Sequence, residues 1–459
     1  MFLVFDSFFS FKNKPTVSNT STVLLSKEKI AALLHSKLVA GALLLTVTGI
    51  ITRLIGFFYK IFLSRTIGAE ALGVYQLVFP LFMFSLSICC GGIQTAISRY
   101  TAFCETKKEA RLYLYLGMAA SILLAVVVSV FIYQYAAPIS QYFLQEPSCE
   151  NLLKVMALAI VPACIHTCVN AYYYGTKKAA IPASSQLIEQ IVRVVGVYVI
   201  FLILEESGQA PSAQAALWGI VIGELSAALF SLTVLRFQSA SGNLITAGKN
   251  LISLGVPLTC NRIALSLAQS LENILIPASL RAFGYSSSDA LSLYGILTGM
   301  ALASVMLPAV LSNSVSVLLL PEISNAQAKQ QTERIKSLIV KTVEFSLILG
   351  FACTLLFLCC GNFAGMHLFH NHLAGVYIRI LSWICPFLFL GSTLGSVLQG
   401  LGKPKTVLAI NLTASSIRIG FVIFAIPVFG MRGYLWGALV SQIVASGLAY
   451  VSLKREVLK

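Results

Sequence analysis

Arg53, Arg193, Arg262 and Arg418 each fall inside an apolar run long enough to cross a bilayer. A charge at the bilayer centre costs about 2.5–3.5 kcal/mol on insertion scales, so such residues are rare and turn toward a protein or water-filled interior. A guanidinium offers a planar fork of donors that grips phosphate through paired charge-assisted hydrogen bonds. Four on one chain predict a cationic chamber for an anion, with phosphate or pyrophosphate as its natural occupant. Helical spacing shows which residues share a face with each. Arg262, Ser266, Gln269 and Asn273 follow an i, i+4, i+7, i+11 rhythm, with Glu272 beside that stripe. Thr46, Gly49, Arg53, Gly56 and Lys60 form a second stripe. Gln186, Glu189, Arg193 and Gly196 form a third, and Asn411, Ser415 and Arg418 a fourth.

A blander reading competes. Ser, Asn and Gln commonly tie membrane helices together, and Glu189, four residues before Arg193, can neutralise it on one helix. Arg53 and Arg262 have no acid at helical spacing on their own spans. Arg262 has Glu272 and Glu344 as counter-charges to be tested, through a kink or across helices. Arg53 and Arg262 therefore head the candidate pyrophosphate contacts, with Lys60, Arg193, Arg418, Gln269 and Asn273 behind them. Glu224, Glu272 and Glu344 are the embedded acids. They serve either as counter-charges to the arginines, the preferred role, or as sites for a coupling proton or Na⁺. His367, His370 and His372 cluster in an expected loop and read as an interfacial turn rather than a metal site. No metal or cofactor is expected, and no catalytic residue.

The elements carrying these residues are membrane helices. The 459-residue chain is 57% hydrophobic and 11% charged, with a mean hydropathy of +0.85, too apolar for a soluble domain. Twelve runs of spanning length lie near 38–62, 71–97, 112–135, 152–175, 180–204, 214–235, 250–277, 290–318, 337–360, 376–399, 405–428 and 431–453. The net charge of +15 follows topology rather than a nucleic-acid footprint. Alternate loops hold the basic residues, among them Lys107, Lys108 and Arg111, then Lys177 and Lys178, then Arg334 and Lys336, then Lys403 and Lys405. The positive-inside rule then places both termini in the cytoplasm, for a multi-pass protein of the plasma membrane. Residues 1–36 read as a disordered cytoplasmic extension. The eleven cysteines are odd in number and scattered over expected helices, against a disulfide framework. No GxxxxGK[ST] loop is present, so transport would run on an ion gradient or the cargo's own gradient.

The halves repeat. Gly175, Lys178 and Arg193 recur as Gly400, Lys403 and Arg418, displaced by 225 positions. Leu217-Trp218-Gly219 recurs as Leu435-Trp436-Gly437, and Glu70-Ala71-Leu72 as Asp289-Ala290-Leu291. Six spans per copy give both copies the same orientation, a parallel repeat about the membrane normal. The expected fold is an all-α polytopic membrane protein with two six-helix lobes around a central cavity. The N-lobe takes residues 37–240 with spans 1–6, and the C-lobe takes 241–459 with spans 7–12.

Span 1 and its exit run Thr52-Arg53-Leu54-Ile55-Gly56-Phe57-Phe58-Tyr59-Lys60 and on through Gly68-Ala69-Glu70 to Leu72-Gly73-Val74-Tyr75-Gln76. Span 7 runs from Pro257-Leu258 through Arg262 to Leu271-Glu272-Asn273-Ile274-Leu275-Ile276-Pro277. From about residue 37 onward the chain resembles the polysaccharide biosynthesis flippases, sporulation proteins among them, of the polysaccharide-transport branch of the multidrug/oligosaccharidyl-lipid/polysaccharide exporter superfamily. The resemblance implies two lobes that alternate between inward-open and outward-open forms. It also implies export of undecaprenyl-pyrophosphate-linked oligosaccharide, lipid II-like or a polysaccharide precursor, for cell-wall, spore-cortex or polysaccharide biosynthesis. In such flippases an arginine of an Arg-x-Leu/Ile-Gly-Phe stretch lines the cavity, and Arg53 holds that place. A second arginine some residues on is replaced here by Tyr59 and Lys60. Expected partners are the lipid-linked oligosaccharide, the bilayer and, as a further class, cell-wall synthesis proteins. A cation-coupled multidrug exporter of the same superfamily is the first alternative, and a membrane glycosyltransferase or polysaccharide polymerase the second. The arginine-rich interior argues against the first, and the short loops against the second.

Overall fold

The computed structural model describes residues 37–457, so the expected extension over 1–36 lies outside the described residues. Twelve helices among them are long and apolar enough to cross a membrane, and each coincides with an expected run. Polar side chains start several of them. Thr106, Ser212 and Ser286 accept from the amides of Glu109, Ala215 and Asp289 respectively, satisfying donors that a helix start leaves open. Gly284, at φ 116°, ends span 7 in the left-handed conformation that favours glycine. All eleven cysteines are free thiols.

Three spans differ from simple hydropathy. Span 7 is one helix of 40 residues, Leu244–Phe283, longer than the apolar run it contains. Span 2 is expected as one run, but it breaks at Cys90 into Gly68–Cys89 and Gly91–Phe103. Span 8, Ser287–Met306, stops before Pro308 and the chain resumes as Ala309–Ala328. The two broken spans occupy the same place in each repeat. The second piece of span 2 packs on span 4, and that of span 8 packs on span 10. Prolines act unequally. Pro80, Pro162, Pro257 and Pro277 lie inside continuous helices, whereas Pro308, Pro386 and Pro427 sit at helix starts. Pro80 cannot donate to the Gln76 carbonyl one turn back. The Tyr294 hydroxyl of span 8 lies 3.5 Å from that carbonyl.

The lobes meet along spans 2, 7 and 8. A Cβ on Gly73 would stand 2.1 Å from the Leu291 carbonyl oxygen, and one on Gly295 would stand 2.2 Å from that of Ala69. Only glycine allows this approach. Around it, at the end away from the basic loops, polar contacts join the lobes. Ser288 donates to Glu70 at 2.6 Å, Ser287 to Glu146 at 3.0 Å and Arg281 to Gln145 at 3.3 Å. Arg65 donates to the backbone carbonyls of Leu368 and His367. The lobes are thus sealed at this end. At the basic-loop end, the first half of span 7 packs on the N-lobe. There the Gly92 amide donates to Thr259 Oγ1 at 3.0 Å and Asn250 donates to Tyr113 at 3.0 Å. Gly295→Val should force the seal apart. Overpacking of this kind costs about 1–3 kcal/mol, which corresponds to roughly a 5–150-fold change in the ratio of two conformations. Spin labels at positions 145 and 286 should report a longer mean distance in the variant.

Candidate functional site

Between the lobes lies a cavity of about 160 Å³, lined by Gln76, Phe79, Pro80 and Met83 of span 2, Ser266, Gln269, Ser270 and Asn273 of span 7, and Tyr294 and Thr298 of span 8. The span 7 stripe read from helical spacing therefore faces span 2 and the cavity. Ser266 and Ser87 share a hydrogen bond at 2.6 Å, and Ser270 donates to the Pro80 carbonyl at 3.1 Å. Asn273 accepts from Tyr294 at 3.1 Å and donates to the Gln269 carbonyl at 2.8 Å. The buried Gln76 amide nitrogen has no hydrogen-bond partner among the described residues. The lining is rich in neutral amides and hydroxyls and contains no carboxylate.

Arg262 stands one turn further along the same stripe. It is exposed, its stem lies over Gly91, and its Nη2 donates to Thr95 Oγ1 at 3.4 Å. It forms no ion pair among the described residues. Neither Glu272 nor Glu344 answers it. Arg53 is exposed on span 1, and Lys60 is half-buried two turns on. Near them Gly56 faces Gln190 of span 5, where a Cβ would come within 3.3 Å of the Gln190 amide nitrogen. Arg53 and Arg262 thus occupy separate helices, spans 1 and 7.

The other two arginines are held by carboxylates. Arg193 pairs with Glu189 on its own helix, and its Nη2 lies 3.4 Å from Glu224 on span 6. Glu224 also meets His166 of span 4 at 2.7 Å. In the C-lobe, Arg418 Nε lies 2.8 and 2.9 Å from the two oxygens of Glu272, and its Nη2 donates to Ser415 at 3.2 Å. Tyr434 of span 12 donates to Glu272 at 3.2 Å. Glu272, one residue off the span 7 stripe, thus points into its own lobe. Glu344 is exposed on span 9 and forms no ion pair among the described residues. His367 stacks on Phe363, while His370 takes a positive φ in the turn. His166, Asn170 and Tyr434 were not visible as site residues from spacing. Their partners sit on other helices.

Comparisons with known proteins agree with this architecture. The family model described as polysaccharide biosynthesis protein matches residues 38–327, and that described as MatE matches residues 264–424. The chain is 23% identical over 410 residues to stage V sporulation protein B of Bacillus subtilis (strain 168), covering 86% of this chain and 79% of that protein. It is 22% identical over 469 residues to lipid II flippase MurJ of the same organism, covering 92% and 84%. A solved inward-facing multidrug resistance MATE family transporter of the MOP superfamily superposes with a TM-score of 0.73 at 13% identity, over 88% of this chain and 94% of that chain. An outward-facing form superposes with a TM-score of 0.61 at 14% identity, over 92% and 95%.

Proposed function

From the premise that this chain belongs to the polysaccharide biosynthesis protein family of membrane transporters, we propose that it flips an undecaprenyl-pyrophosphate-linked oligosaccharide across the cell membrane. The observation that carries this reading is Arg262. It is a cation on a membrane span with no carboxylate partner among the described residues, one turn from a polar, acid-free cavity between the lobes. Pyrophosphate suits guanidinium through bidentate charge-assisted bonds, and sugar hydroxyls suit the amides and hydroxyls of the cavity. The polyprenyl tail stays in the bilayer while the head group passes between the lobes. Arg53 is a second pyrophosphate contact, with Lys60 beside it on the same stripe. Gln269 and Asn273 contact the sugar. Glu272 and Glu224 act as counter-charges rather than as cargo ligands, which makes Arg418 and Arg193 structural in first place. With the basic loops in the cytoplasm, both termini are cytoplasmic and the end closed by the Gly73–Gly295 contact faces outward. The chain performs no covalent chemistry in this scheme.

The reading is tested with purified protein in liposomes carrying a fluorescent undecaprenyl-pyrophosphate disaccharide in both leaflets. The expected result is dithionite-accessible exchange of the labelled lipid and no uptake of ethidium. The MatE match over the C-lobe supports a second reading, a cation-coupled multidrug exporter, for which the two results would be reversed.

A further inference from the structure

The arginine clusters of the two lobes differ in charge balance. In the C-lobe Arg418 faces one carboxylate, Glu272, and the sum is neutral. In the N-lobe Arg193 faces two, Glu189 and Glu224, and one negative charge is left over. The side chains of Glu224 and His166 are only 7% and 11% exposed, so that surplus charge is held away from solvent, where it is costly. One proton on His166 would cancel it. A metal ion is the less fitting answer. The ligand atoms of His166, Glu189 and Glu224 lie within 4.8 Å of one another, but the Arg193 guanidinium already supplies the cation between the two carboxylates.

A second observation comes from Asn170. It is 7% exposed, and its amide nitrogen lies 3.4 Å from His166 Nδ1 and 3.4 Å from Ser185 Oγ. Its amide oxygen has no hydrogen-bond partner among the described residues. With the amide so placed, Nδ1 is the acceptor, and the single ring proton sits on Nε2, donated to Glu224. A second ring proton, on Nδ1, would need an acceptor. The unpaired oxygen of Asn170 is that acceptor, reached by turning the amide over.

We propose that the His166–Glu224 pair is a single-proton site, the binding site of the ion that couples transport, and that Asn170 turns its amide to follow the proton. The groups facing it are Glu224 from span 6, Glu189 and Arg193 from span 5, and the Tyr59 and Tyr75 hydroxyls of spans 1 and 2 beyond Arg193. Glu189, whose side chain is 18% exposed, is the carboxylate through which the proton enters. The inference rests on the chain being a transporter, not on the identity of its cargo.

The test is a titration of histidine-labelled full-length protein in nanodiscs by ¹⁵N NMR, with His166 assigned from His166→Gln. His166 should gain one proton within about pH 5–8. Glu224→Gln should lower its proton affinity at least tenfold, and Asn170→Leu should lower it as well. Glu272→Gln, in the other lobe, should leave it unchanged. Spin-label distances across the seal should shift with pH in the wild type and not in His166→Gln or Glu224→Gln, while Na⁺ has no effect. A His166 that stays neutral throughout, an affinity indifferent to Glu224→Gln, or a conformational response to Na⁺ in place of H⁺ would each overturn the proposal. The wild-type titration relies on one variant alone, His166→Gln, to assign its signal among the five histidines. Neither arm uses the lipid cargo, so a failed flipping assay alongside a positive titration retires the cargo reading and leaves this one standing.

Discussion

Arg262→Ala should reduce flipping of a pyrophosphate-linked lipid by about 30-fold or more while leaving the protein in the membrane at normal levels. Losing one partner of a desolvated charge pair costs about 2–5 kcal/mol, and every 1.4 kcal/mol is tenfold. Among the described residues Arg262 gives up one long hydrogen bond to Thr95, at 3.4 Å, and no ion pair. A hydrogen bond to a charged group contributes about 1.5–3 kcal/mol, and this one is long and made by an exposed side chain, so stability should change little. Arg262→Lys should recover part of the activity, because an ammonium keeps the charge and loses the fork. Arg53→Ala should produce a loss in the same direction. Full activity in both alanine variants, measured in the liposome assay at matched expression, would sink the cationic chamber.

Glu272→Ala should destabilise the protein by about 3–5 kcal/mol, the cost of leaving a buried charge without its partner. Both Glu272 oxygens are engaged by Arg418 Nε, and Tyr434 donates to one of them. The result should appear as a large drop in melting temperature in detergent. The double variant Glu272→Leu with Arg418→Met should recover most of that stability, since an apolar pair of similar volume can replace a buried ion pair. Its flipping activity separates two roles for Arg418. Retained transport makes Arg418 a structural counter-ion, whereas lost transport at restored stability returns it to the cargo site. The same logic applies more weakly to Arg193, whose pair with Glu189 is local but whose contact with Glu224 crosses helices.

Much of this was legible in the sequence, for local reasons. Twelve apolar runs of spanning length become twelve helices, because a backbone in hydrocarbon must satisfy its own hydrogen bonds. The stripe through Arg262, Ser266, Gln269 and Asn273 survives intact because it depends only on the 3.6-residue turn. The acid four residues before Arg193 pairs with it for the same reason. The break of span 2 at Cys90 carries only one local mark, Gly91-Gly92, which is ambiguous because glycine is common in membrane helices.

What the tertiary structure alone decided is who meets whom across helices. Glu272 sits one residue from the Asn273 stripe, and that one residue turns it away from the cavity toward Arg418 and Tyr434. His166 and Glu224 are on spans 4 and 6, with no periodicity relating them, and come within 2.7 Å only because the two helices pack face to face. Gly73 and Gly295 read as ordinary membrane glycines until their backbones meet. Helix periodicity is set by neighbours within one turn, so composition and spacing alone place each arginine on a face. The rotation and approach of packed helices depend on side chains a hundred or more residues away, and they determine which carboxylates meet Arg193 and Arg418.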